Sequence, residues 1–123
     1  MMEKKALILF AHGSRDPEWS VTLDRICRSI RESSPETRVE PAFLEFTAPS
    51  LPESVGRLIG EGYGRIVVVP VFLARGGHLK QDLPILMDEL RQRYPGAVFE
   101  LTAAIGEAES VIQAVAAHVL TLR

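Results

Sequence analysis

Cysteine is almost missing: Cys27 is the one thiol in 123 residues. A lone thiol forms no intrachain disulfide and no Cys-rich zinc site, so a reducing cytoplasm is the natural setting. A basic surplus is missing too. The formal charge is -2, which argues against a general nucleic-acid binder and leaves any anionic partner to be held by local cations. No apolar run is long enough to span a bilayer, and no small-residue cleavage site follows the short apolar run after Met1-Met2-Glu3-Lys4-Lys5. Nor is there an internal repeat, a low-complexity tract or a linker. With 46% apolar and 24% charged residues, the composition is ordinary for a globular protein. Residues 1–123 are expected to form one soluble, cytoplasmic domain.

What is present is a regular alternation. Ile66 to Val69 is a β-branched run that reads as a strand buried on both faces, with Pro70 tolerated at its exit. Lys5 to Ala11 reads the same way. Arg38 to Phe46 contains Pro41 and is expected at a sheet edge, and Ala97 to Leu101 is the fourth strand. Between them lie amphipathic helices. The first is capped by Asp16 before Pro17, buries Trp19, Leu23, Ile26, Cys27 and Ile30, and closes at Ser33-Ser34-Pro35-Glu36. The second opens on a Ser50/Glu53 capping box, buries Leu51, Val55, Leu58 and Ile59, and stops at Gly60 and Gly62. Asp82 caps the third, with Leu83, Leu86, Met87, Leu90 and Tyr94 inward and its end at Pro95-Gly96. Gly106 and Glu107 open the last, whose inner face is Val111, Ile112, Val115, Val119 and Leu122.

The order βαβαβαβα, with short connections, implies right-handed crossovers and a parallel sheet inside a three-layer α/β/α domain. In such sheets ligands gather beyond the strands' carboxyl ends, at the topological switch point. A strand order of 2-1-3-4 places that point between the first and third strands. His12, after the first strand, then faces His78, after the third, and Glu45 at the end of the second lies beside His12.

Two imidazoles and a carboxylate form a borderline-soft donor set suited to cobalt, nickel, iron(II) or zinc rather than magnesium or calcium, and three protein ligands leave positions open for exchange. The plainer reading stays beside it. A lone loop histidine is more often a solvated, hydrogen-bonding residue, a glutamate at an edge-strand end is more often solvent-facing, and His118 is most simply a surface residue. Ser14, Arg15, Arg75 and Lys80, with the amides of Gly76 and Gly77, surround the same crevice and carry groups that hold carboxylate or phosphate. Other uses of a His-Gly pair fail. No Gly-x-Ser-x-Gly elbow exists for an α/β-hydrolase, Ala11 stands where a histidine phosphatase would carry arginine, and neither a P-loop nor Gly-x-Gly-x-x-Gly follows the first strand.

LILFAHGSRDPEW, AFLEFTAPSLPE and VVVPVFLARGGHLKQDLP, taken together, resemble the class II chelatase family, in particular its small CbiX and sirohydrochlorin chelatase branch. The segments occur in the family's order and spacing over nearly the whole chain. TAAIGEAESV departs from the family's Pro-Leu-Gly-like turn, keeping only Gly106. The resemblance implies a chelatase-like fold and insertion of a divalent metal, cobalt first and iron or nickel next, into sirohydrochlorin on the way to cobalamin or siroheme. It implies metal-binding roles for His12 and His78, an acidic active-site role for Glu45, no organic cofactor, and pairing of two copies as a homodimer. A non-catalytic metal or tetrapyrrole carrier and a metal-dependent hydrolase of small anions are the alternative functions.

Overall fold

The computed structural model describes residues 4–16, 18, 20–74 and 76–123, with Gly77 and His78 as backbone only. Four strands form one parallel sheet in the order β2-β1-β3-β4: β1 Lys4–Ala11, β2 Arg38–Phe43, β3 Tyr63–Pro70 and β4 Val98–Leu101. Strands β1 and β3 pair from Lys4 with Tyr63 to Phe10 with Pro70. The exits of these two strands are therefore neighbours, as the expected strand order requires.

The central strands are apolar on both faces because both faces are covered. Ala6, Ile8 and Phe10 of β1 join Ile66 and Val68 of β3 in a core with Leu51, Val55 and Leu58 of helix α2 (Leu51–Gly60) and Leu83, Met87 and Leu90 of helix α3 (Gly77–Arg93). On the other face Leu9, Val39 and Phe43 pack against Leu23 and Cys27 of helix α1 (Ser20–Ser33). Strand β2 lies at the edge, where Pro41 costs little. That edge is also charged: Glu40 meets Arg38 at 2.7 Å, Arg57 at 3.6 Å and Arg31 at 3.8 Å, a pattern that discourages a further strand from pairing there.

The Ser50/Glu53 capping box forms as expected, with both reciprocal hydrogen bonds made. Several boundaries differ from expectation. Helix α1 starts at Ser20 rather than directly after Asp16, because the Asp16 carboxylate accepts from the Glu18 amide in a local turn ahead of it. Pro17 and Trp19 fall outside the described residues, and Ile26 is 39% exposed instead of buried. Strand β2 ends at Phe43, short of Phe46, which takes a positive φ of 63°. Helix α3 starts at Gly77 with Gly76 as its N-cap, so Asp82 lies within the helix and does not cap it.

The largest departure concerns the last helix. A 3-10 turn, Ile105–Glu107, precedes α4 (Glu109–Leu120), and α4 buries none of its residues. The expected inner face is outside: Ile112, Val115, Val119 and Leu122 are 46%, 50%, 57% and 72% exposed. Periodicity identified the stripe correctly, but it cannot say whether the cover comes from the chain's own sheet. None of the helices is long and apolar enough to cross a membrane among the described residues.

Candidate functional site

Backbone pairing continues past the strand ends and gathers the loops. The Leu44 amide donates to the Ala11 carbonyl at 2.9 Å, and the Val71 amide to the Phe10 carbonyl at 2.7 Å. His12, Glu45 and Phe72 thereby meet just beyond the sheet. His12 Nδ1 lies 3.3 Å from Glu45 Oε1, and the Gly13 amide donates to the same oxygen at 3.0 Å. The His12 ring packs edge-on to Phe72, with centroids 4.9 Å apart.

Gly13 explains how the loops come so close. A Cβ there would sit 1.5 Å from the Glu45 carbonyl oxygen, so only glycine fits. Thr47 ties the same loops together: its hydroxyl accepts from the Ser14 amide and donates to the Ser14 carbonyl, both at 2.9 Å. Arg15 stacks its guanidinium 4.7 Å from the ring centroid of Phe46, the geometry of a cation–π contact. Each of these contacts locks the loop after β1 to the loop after β2.

His12, Gly13, Ser14 and Glu45 line an open hollow of about 340 Å³. The side chains of His12 and Glu45 are 49% and 34% exposed, so a ligand reaches both from solvent. Behind the His12 loop, on the α1 side, Ala11, Leu23, Ile26, Phe43 and Val71 line an apolar hollow of about 300 Å³, with Glu18 and Thr22 at its border.

The placement of the expected site residues is uneven. His12, Glu45 and Ser14 come together, and Arg15 lies beside them against Phe46. Gly76 and Lys80 belong to the start of α3, where the Lys80 amide donates to the Gly76 carbonyl. Gly77 and His78 are the first two residues of α3, the side chain of His78 and all of Arg75 lying outside the described residues. No cluster of three metal-ligating side chains occurs among the described residues; His12 and Glu45 are a pair. Thr47 and Phe72 were not among the expected site residues. Thr47 stands two positions beyond Glu45 and Phe72 two beyond the β3 exit, so loop proximity was the only available signal.

The CbiX family model matches residues 6–122. Sirohydrochlorin cobaltochelatase of Methanococcus aeolicus is 37% identical over 83 residues, 68% of this chain and 58% of that protein. The chain thus spans less than two thirds of that relative's length. A CbiX protein from Marinobacter aquaeolei has a similar structure, with TM-score 0.85, 32% identity, and coverage of 97% of this chain and 94% of that one. The sirohydrochlorin chelatase SirB from Bacillus subtilis, determined in complex with cobalt, superposes with TM-score 0.80 at 25% identity, covering 96% of this chain and 50% of SirB. A family match over nearly every residue, on a sheet whose order places the His12–Glu45 pair at its switch point, establishes that the chain belongs to the CbiX family.

Proposed function

We propose that the chain is a sirohydrochlorin metal chelatase, an enzyme that inserts a divalent metal, Co2+ ahead of Fe2+ or Ni2+, into the macrocycle in cobalamin or siroheme biosynthesis. The observation that carries this reading is the 3.3 Å pairing of His12 with Glu45 at the exit of β1, beside the strand that leads to His78. The names of the relatives support the same chemistry.

Insertion removes two pyrrole N–H protons while a partly desolvated cation is brought to the ring. An Nδ1 proton shared with Glu45 presents Nε2 of His12 as the ligating nitrogen and fixes the orientation of the ring. His78, two residues into α3, is the second ligand. Two imidazoles hold metal loosely enough to release it, as delivery to a macrocycle requires. Glu45 accepts or relays a pyrrole proton. Its contacts with His12 and Gly13 both use Oε1, leaving Oε2 for that exchange among the described residues.

Sirohydrochlorin is rimmed with carboxylates. Ser14, Arg15, Arg75 and Lys80 hold that rim together with the amides of Gly76 and Gly77, whose place at the N-terminus of α3 favours anions. Residues 1–123 act as one CbiX-like unit, in the cytoplasm, paired as a homodimer. The buried, reduced Cys27 is compatible with that compartment.

The test is a spectroscopic assay of sirohydrochlorin with Co2+, Fe2+, Ni2+ and Zn2+, with and without protein. Multiple turnovers above the uncatalysed rate support the chelatase. Stoichiometric binding without acceleration would make the chain a carrier, and release of product from a generic ester without tetrapyrrole would make it a hydrolase.

A further inference from the structure

Phe72 reaches the candidate site from the core side and carries no group that reacts. Its ring packs edge-on to His12, with centroids 4.9 Å apart and the planes at 63°. Nδ1 of that imidazole lies 3.3 Å from Glu45 Oε1, slightly beyond the usual length of an N–H···O bond. One such bond fixes one ring atom and lets the plane swing about it. The lone pair of Nε2 lies in that plane, so the swing sets its direction toward a metal. Contact with Phe72 holds the plane itself.

Phe72 is in turn firmly held. Its ring meets that of Phe10, which is fully buried, at 6.4 Å between centroids and nearly at right angles, and it packs against the core formed with α2 and α3. The backbone is pinned as well: the Val71 amide donates to the Phe10 carbonyl at 2.7 Å, and the Phe72 carbonyl accepts from the Gly106 amide at 2.9 Å. Gly106 comes so close that a Cβ there would collide with the Leu73 backbone. The loop after β4 thus clamps the loop after β3, and from Phe72 the chain runs on into the first turn of α3, where His78 stands.

We propose that Phe72 is a positioning residue of the chelatase. Its ring holds the His12 imidazole in the orientation that points Nε2 at the incoming metal, and its clamped backbone keeps that ring in register with the segment that brings His78. This role rests on His12 being a metal ligand, as proposed above. The plainer role, an aromatic side chain that only fills the core, belongs to Phe99. It packs on the same core, 6.5 Å from Tyr94 between centroids, on a strand separated from β1 by β3. The two phenylalanines therefore separate positioning from packing.

Co2+ titration of the whole chain without sirohydrochlorin, followed by the visible absorption of the bound ion, tests the role independently of turnover. Phe72→Leu keeps an apolar side chain but removes the ring. It is expected to weaken Co2+ binding about 10-fold, as loss of a group that orients a metal ligand does, and to shift the band of the bound ion. Phe72→Tyr keeps the ring and should bind as the wild-type protein does. Phe99→Leu should lower the denaturant midpoint and leave affinity and band unchanged. Wild-type affinity and band in Phe72→Leu, a Phe72→Tyr protein as weak as Phe72→Leu, equal weakening by Phe99→Leu, or Co2+ binding that His12→Ala leaves intact would overturn the role. The expected binding pattern without metallation of sirohydrochlorin would support the positioning and overturn only the chelatase activity.

Discussion

Gly13 and His12 divide the work at the residue scale. Gly13 permits the β1 and β2 loops to touch, and His12 uses that contact to meet Glu45. Gly13→Ala must push the Glu45 backbone away. It should cost about 3 kcal/mol of stability, an overpacking penalty, readable as a lowered denaturant midpoint, and it should weaken cobalt binding even where the protein stays folded. Glu45→Gln keeps the size but removes the charge. Its expected signature is a metallation rate lower by about 100-fold, the loss of a proton acceptor, with cobalt affinity falling far less. Cys27 behaves in the opposite way. Burial pushes its thiol above its ordinary value of 9.0, so almost no thiolate exists near neutral pH. A disulfide reagent should leave it unmodified in the native protein and react promptly in denaturant.

The second helix shows most clearly what local sequence can determine at the element scale. Ser50 and Glu53 close their capping box within four residues, and no distant contact is needed. Ser50→Ala should cost about 1 kcal/mol, seen as a melting temperature lower by about 4 °C. Hydrogen bonds from the Ser50 backbone and side chain hold the Glu53 carboxyl below its ordinary value of 4.5. That contribution is complete above pH 4.5 and is lost as pH falls through the lowered value, so the Ser50→Ala penalty should shrink in acid. The strands were legible for a similar reason: runs such as Ile66 to Val69 need cover on both faces, and the paired sheet supplies it. Helix α3 begins six residues earlier than an Asp82 cap implies because Gly76 and Gly77 suggest a loop, whereas Gly76 serves as the N-cap and Gly77 as the first helical residue. The last helix forms where its apolar stripe predicts, but the stripe lies outside, because its spacing is the same whether or not the chain's own sheet covers it.

For the whole molecule, the strand order was the inference on which the site depended, and it holds: β1 and β3 are neighbours. His12 and Glu45 were legible because each follows a strand by only one or two residues, so topology alone fixes their neighbourhood. The shape of the site was not. Thr47, Phe46 and Phe72 enter through loop turns that no periodicity describes. Multiple-turnover metallation of sirohydrochlorin at limiting Co2+ tests the central claim most directly, comparing the wild-type protein with His12→Ala and His78→Ala. The account predicts many turnovers per chain for the wild-type protein and a loss of at least about 100-fold in each variant, in keeping with removal of a metal-presenting base. A wild-type rate no faster than the protein-free reaction, or variants that keep the full rate, would contradict it.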